Sequence, residues 1–373
     1  MTFCLYTNSI SPHQLPLARE LVQRIGSENY RYIYTEALSA SRVKLGWQLE
    51  QEDWILSYHE HPEEANNWLR KCDVLMSGIR DVELFDIRSA ASKKTLYYSE
   101  RWFKPIFDFR RHFAGGCFGR LAGLVEKYGG RLRMFVPSYR RKANAIIGLA
   151  KRDAGFMLYP MGIHAAKDFA WLLGCSINDY ERFPGGKFNG DGTYLHKMRL
   201  WGYFVEPSSG HEKAHIMSPR LRVLWVGRML RLKHVDDLIA VAKQIPIELY
   251  LYGDGPDKDR LMHMAQGMEN VHFHESVTLA KVREIMRKYD VYVLSSNSLE
   301  GWGAVVSEAL EEGMKVVGTY EAGSSATILP TTNLYHAGDC HALANILSGN
   351  VCAIPIDKWS VMNAAEELLR LMK

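Results

Sequence analysis

The chain has 373 residues, 47% of them hydrophobic and 24% charged. This is the balance of an ordinary globular protein with room for two cores, and it excludes disorder, collagen and coiled coil. The 46 basic and 42 acidic residues leave a net charge of +4, too small to mark a nucleic-acid binder. In chain order, the N-terminal half offers short apolar runs that read as strands: FCLYTN, then a helix after Pro12, RYIYTE, DWILSYHE, DVLMSG, TLYYSE, FMLYP and KMRLWGYF. The polar stretch Glu206–Pro219 breaks both periods and reads as a linker. The C-terminal half alternates more regularly. LRVLWVG, IELYLYG, VHFHE, VYVLSS, KVVGTY and NLYHAGD are separated by amphipathic stretches near 233–244, 257–267, 279–289 and 303–312. A last amphipathic segment spans 357–372.

Strands separated by helical segments predict parallel sheets covered on both faces. The expected organisation is an α/β N-terminal domain over residues 1–210, a second α/β domain over 211–355, and a terminal helix over 356–373. No run approaches the roughly 18 apolar residues of a membrane span, and the opening MTFCLYTNS shows neither a cationic lead nor a cleavage site. The six cysteines (Cys4, Cys72, Cys117, Cys175, Cys340 and Cys352) form no C-x-x-C pair, and no His cluster stands at metal spacing. A cytoplasmic, reducing location without a metal site is therefore expected.

The most informative segment is Ser295–Gly313, SSNSLEGWGAVVSEALEEG, which follows the strand VYVLSS and leads into a helix. Ligands of open parallel sheets bind beyond the carboxyl ends of strands, and a glycine-rich turn opening a helix offers backbone N–H groups to an anion. Gly301, Trp302, Gly303 and Ala304 form that turn. Glu300 lies in it, and Glu308 follows about two helical turns later, so both carboxylates can face one cleft. Carboxylates suit sugar and ribose hydroxyls, while cations and amides suit phosphates. Arg228 and Lys233 supply such cations from the loop after LRVLWV, and Gly253-Asp254-Gly255-Pro256 ends the next strand. Cations are disfavoured at a helix start, which argues for an anionic partner there. Each feature also has a plain structural explanation, as a loop glycine, a solvated charge or a surface Glu.

These three motifs, in this order over residues 221–347, resemble the donor half of the GT-B glycosyltransferases of family 4. The resemblance implies two Rossmann-like domains facing a central cleft and transfer of a sugar, with retention of configuration and without a metal, from a nucleotide diphosphate sugar. It carries diphosphate binding onto Arg228 and Lys233, the sugar onto Glu300 and the ribose onto Glu308. It also places backbone contacts to the base around Ser276 and Val277, where Glu275 stands in a position that is commonly Gly. No separate cofactor is implied; the donor is a co-substrate linked to UDP or GDP.

In the N-terminal half the resemblance is one of layout. Asn8 and His13 follow the first strand and are acceptor-side candidates, although Ser11 and Pro12 equally suit a helix start. Glu100 and Arg101 follow TLYYSE, where family members often have a His near the acceptor hydroxyl. Glu100 could orient or deprotonate that hydroxyl, or pair with a cation. His164 follows FMLYP. The expected catalytic set is Glu300, Arg228, Lys233, Glu100 and His13.

Cations and aromatics interleave through Arg101, Trp102, Phe103, Lys104, Phe107, Phe109, Arg110, Arg111 and Phe113, and again through Arg131, Arg133, Phe135, Tyr139, Arg140, Arg141 and Lys142. Such a mixture suits an anionic membrane surface on the inner face of the plasma membrane; a solvated basic face is the plain alternative, and nucleic acid the less favoured partner. The expected function is hexosyl transfer to a glycan or lipid-linked intermediate of surface polysaccharide synthesis. Two other readings stay open: a GT-B nucleotide-sugar epimerase, and a non-catalytic nucleotide-sugar binding subunit.

Overall fold

The computed structural model describes residues 1–44, 52–105, 129–175, 177, 179–180, 188–189, 194–208, 219–353 and 360–372. Two six-stranded parallel sheets carry the fold. The first contains β1 (Phe3–Thr7), β2 (Tyr30–Tyr34), β3 (Ile55–Ser57), β4 (Val74–Ser77), β5 (Lys94–Ser99) and β6 (Phe156–Pro160), in the order β3-β2-β1-β4-β5-β6. A small antiparallel pair, β7 (Asp179–Tyr180) and β8 (Phe188–Asn189), follows. The second sheet contains β9 (Leu221–Val226), β10 (Ile247–Tyr252), β11 (Val271–His274), β12 (Val291–Leu294), β13 (Lys315–Thr319) and β14 (Leu334–Tyr335), in the order β11-β10-β9-β12-β13-β14. The two halves repeat one strand order, that of a dinucleotide-binding fold, and together they form the GT-B architecture.

Apolar content explains the strand positions. Every residue of β1, β4 and β12 is buried, as required of central strands covered by helices on both faces, whereas the edge strand β11 is only half-buried throughout. Registers follow the packing: Phe3 pairs with Tyr30 on one side and Val74 on the other, and Val223 with Leu249 and Val291. In each sheet the strand order reverses beside the first strand, so a crevice opens where the chain leaves β1 and β9.

The sequence reading differs from the structure at KMRLWGYF. That segment opens with a 3-10 turn, Leu195–Lys197, and forms no ladder with β6 beyond the isolated bridges Leu158–Met198 and Met161–Trp201. Lys197 explains the difference. Its buried ammonium donates to the carbonyls of Asp153 (2.5 Å) and Phe156 (3.2 Å), pinning the turn under the start of β6. The helices are also shorter than their apolar periodicity: Val235–Ala242, Lys258–Met264, Leu279–Met286 and Val305–Glu311. Of the linker stretch, residues 209–218 lie outside the described residues, as do Phe107, Phe109, Arg110, Arg111, Phe113 and Cys117. The five described cysteines are free.

The helix Val361–Met372 packs against the helix Leu15–Ile25, with Val361, Ala364, Ala365, Leu368 and Met372 joining the core of the first sheet. Trp302, from the loop after β12, is buried in that same core beside Met161 and Trp201. Two hydrogen bonds run alongside: Ile163 N–H donates to Thr327 Oγ1 (3.0 Å), and His164 Nε2–H donates to the Tyr320 carbonyl (2.7 Å). No described helix is long and apolar enough to cross a membrane.

Candidate functional site

A cleft of about 800 Å³ opens between the carboxyl ends of the two sheets. Its first wall is built from the ends of β1, β4, β5 and β6: Thr7, Asn8, Ser9, Ser11, His13 and Gln14, then Gly78, Tyr98–Glu100 and Met161, with Tyr203 and Arg42 beside them. Its second wall comes from the ends of β9 and β12: Val226, Gly227, Lys233, Glu300–Val305 and Glu308, with Leu279.

Lys233 pairs with Glu300 on the second wall, and Ser296 Oγ donates to the same Glu300 oxygen at 2.8 Å. Burial pushes the Glu300 carboxyl up, but the Lys233 ammonium, with its hydrogen bond and that of Ser296, outweighs burial and holds it below the usual carboxylate range. Glu300 is therefore an ionised acceptor at neutral pH. Glu308 behaves oppositely. Burial raises it to about 7, and the charge of Arg283 offsets only part of that rise. Across the cleft, His13 Nδ1 stands 3.5 Å from Glu308 Oε1, and burial lowers the imidazole to about 4. An acid that titrates above its neighbouring base keeps both groups uncharged near pH 6. The contact is thus a neutral one that joins the two walls.

Glu100 also reaches across. Lys104 donates to its Oε2 at 2.7 Å, while Oε1 lies so close to Gly301 that a β-carbon there would approach it to 2.3 Å. Any larger residue at 301 would displace this carboxylate, so the glycine is explained by the approach of the opposite wall. Behind this surface, Tyr32 Oη donates to Gln14 Oε1 (2.6 Å) and Gln14 Nε2 donates to Tyr98 Oη (2.8 Å), which fixes the loop after β1.

The structure brings Lys233, Glu300, Gly301, Trp302, Gly303, Ala304, Glu308, Asn8, His13 and Glu100 to one cleft. It does not bring the remaining candidates there. Arg228 is exposed and lies outside the lining, one residue beyond Gly227. Gly253 and Gly255 have φ of +148° and +153°, and β-carbons there would come within 1.9 Å of the Gly227 carbonyl and 2.4 Å of the Met229 carbonyl. These glycines let the loop after β10 dock on the loop after β9, where Met229 N–H donates to the Asp254 carbonyl at 2.8 Å. Val277 packs on the core beneath β12. His164 is half-buried at the junction of the two domains, where desolvation, then Arg101 and Lys167, lower it to about 3. Arg101 faces Asp168 at 3.8 Å.

Sequence reasoning missed Arg42, Tyr98, Lys104 and Tyr203. Lys104 alone left a local trace, four residues after Glu100; the others arrive through the strand order. Among the described residues, one group could hold a metal ion: His234, Asp236 and Asp237, whose ligand atoms lie within 4.8 Å of one another. There His234 Nδ1 is 3.2 Å from Asp237 Oδ2, which also accepts from Gly338 N–H at 2.7 Å.

Comparisons with known proteins bear on the fold and on the C-terminal half. Residues 220–349 match the family model of the Glycosyl transferases group 1. The sequence resemblance rests on the same part of the chain. No match is found among curated proteins. Among solved structures, the chain is similar to Anabaena Alr3699/HepE in complex with UDP and glucose, at 14% identity and a TM-score of 0.59 over 100% of this chain and 99% of that one. It is also similar to the lipopolysaccharide outer core galactosyltransferase WaaB (12%, TM-score 0.60, 100% and 99%). A third is WaaG, a glycosyltransferase involved in lipopolysaccharide biosynthesis (14%, TM-score 0.52, 98% and 93%). At these identities the likeness establishes a common GT-B fold along the length of the chain.

Proposed function

We propose that the protein is a retaining glycosyltransferase that moves a hexose from a nucleotide diphosphate sugar to a hydroxyl of a glycan or lipid-linked intermediate of surface polysaccharide synthesis. One observation carries the reading: Lys233, Glu300 and Glu308, picked out by the first and third of the ordered motifs, share a single cleft with Glu100 and His13 of the other domain. The family match over residues 220–349 supports the donor half of the assignment.

In this reading Lys233 exchanges part of its contact with Glu300 for the diphosphate, with Arg228 adding positive charge from the rim. Stabilising the charge of the departing diphosphate is the main electrostatic demand of such a transfer, and a pair of cations can meet it without a metal. Glu300, held ionised, accepts from the hydroxyls of the donor sugar. Glu308 accepts from the ribose once His13 yields its place. The bond from the anomeric carbon to the phosphate oxygen breaks, the bond to the acceptor oxygen forms on the same face, and the acceptor proton passes to the leaving phosphate. Glu100, positioned by Lys104, orients the acceptor hydroxyl.

The test begins with thermal shifts against UDP, GDP and their sugars, with UDP first because the HepE structure holds it. A ligand at 100 times its Kd adds about 2.7 kcal/mol of stability. Product analysis with candidate acceptors, with and without EDTA, then separates transfer from epimerisation. No shift with any nucleotide would overturn the assignment, and so would sugar epimerised in the absence of acceptor.

A further inference from the structure

Four of the nine exposed large hydrophobic side chains in the described residues meet on one face of the N-terminal domain. Leu132 (58% exposed), Phe135 (80%) and Val136 (51%) sit on the 3-10 turn Gly130–Phe135 and its exit into the helix Pro137–Arg152. Trp171 (41%) joins them from the helix Ile163–Leu173, with the Arg131 guanidinium 4.7 Å above its ring. Around this apolar tip, Arg140, Arg141 and Lys142 are exposed on the first turns of the following helix, while Ala143, Ile146, Ile147 and Ala150 bury its other face. From Gly129 to Arg152 the chain carries seven cations and no acidic residue.

We infer that this tip is a docking surface for an anionic lipid bilayer, with Leu132, Phe135 and Val136 entering the headgroup layer and Arg140, Arg141 and Lys142 held at phosphate level. A merely solvated basic face has no use for a phenylalanine in water. Single-stranded nucleic acid would stack on aromatic rings but gain little from Leu132 and Val136. The surface is tied to the cleft. Tyr139 Oη donates to the Trp102 carbonyl, and Gly130 lies against the backbone of Phe103, where a β-carbon would approach the Phe103 carbonyl to 2.3 Å. That segment follows Glu100 directly. A bilayer under the tip would therefore present the headgroup of a lipid-linked acceptor on the Glu100 side of the cleft. Only this last step rests on the transferase reading; the docking does not.

Flotation of the full chain with phosphatidylcholine vesicles, with and without phosphatidylglycerol, tests it. The chain should float with the anionic vesicles alone. Each of Arg140→Ala and Arg141→Ala should weaken partition about fivefold, and Phe135→Ser about tenfold. Absence from both float fractions, equal flotation with neutral vesicles, or unchanged flotation of the variants would overturn the inference. Capture of a single-stranded oligonucleotide without flotation would overturn it in favour of nucleic acid. Thermal shifts with UDP and GDP on the same samples keep the two proposals apart: a nucleotide shift without flotation defeats the docking alone, and flotation without a shift defeats the transferase alone.

Discussion

The two sheets share one strand order, yet the loops that leave their first strands differ in kind. After β9 comes Gly227 to Lys233, with three cations in seven residues, closely packed on the glycines of the next loop. After β1 comes Asn8 to Gln14, with no glycine, no Lys or Arg and a proline, held from behind by Tyr32 and Tyr98. One fold thus puts a cationic loop on the second wall of the cleft, the charged wall, and a loop without Lys, Arg, Asp or Glu on the first. The strand order fixes where ligands bind; the loop chemistry fixes which ligand each wall takes.

The sharpest way to break this comparison is to ask whether the walls are separable. Trp302 belongs to the charged wall but is buried in the core of the first sheet. Trp302→Ala should lose about 3–5 kcal/mol in denaturant unfolding, with the two halves melting apart. A loss below about 1 kcal/mol would mean that each core stands without the other. Lys233→Ala comes next. It should cut turnover about 100- to 1000-fold while melting within a few degrees of the parent. Near-parental turnover would remove the charged wall from the chemistry.

The charged wall was legible in the sequence because its parts are local. Glu300, Gly301, Gly303 and Glu308 fall within nine residues, and Lys233 stands at a fixed spacing after a strand. The first wall was less so, because it is assembled from residues far apart in the chain. Gln14, Arg42, Tyr98 and Tyr203 meet only through the strand order, and each looks ordinary in its own segment. Gly253 and Gly255 show the converse. Their spacing reads as a ligand loop, while the structure gives them a packing reason, the approach of the Gly227 and Met229 carbonyls. KMRLWGYF has the apolar content of a strand, but one buried lysine holding three carbonyls turns it aside.

The contact between the walls gives a pH test of similar size to the loss of Lys233. Glu308 rises from an ordinary 4.5 to about 7, so the folded chain binds a proton that the unfolded chain has released, and stability falls as pH rises from about 4.5 to 7. His13 falls from 6.5 to about 4, so the unfolded chain binds the extra proton, and stability rises over about pH 4 to 6.5. Each effect is on the order of 3 kcal/mol, and over the shared window they oppose. The parent should therefore show little slope from this pair. His13→Asn should expose a stability that declines with pH, and Glu308→Gln one that climbs. Parallel profiles for both variants would mean that the two groups do not titrate as the cleft geometry implies.

The smallest expected effect lies at Arg228, the cation that resemblance places on the diphosphate and the structure leaves on the rim. An exposed charge acts through solvent, where screening limits its contribution. Arg228→Ala should raise the donor KM about two- to fivefold with kcat nearly unchanged, and the difference from the parent should shrink in high salt. Lys233→Ala should show neither feature, because its ammonium is shielded in the cleft beside the Glu300 carboxylate. If Arg228→Ala instead lowers kcat as far as Lys233→Ala does, without salt dependence, the arginine must swing inward when the donor binds, and the charged wall holds two equal cations during transfer. The salt series therefore decides whether the loop after β9 works as one inner lysine with an outer helper or as a closing pair.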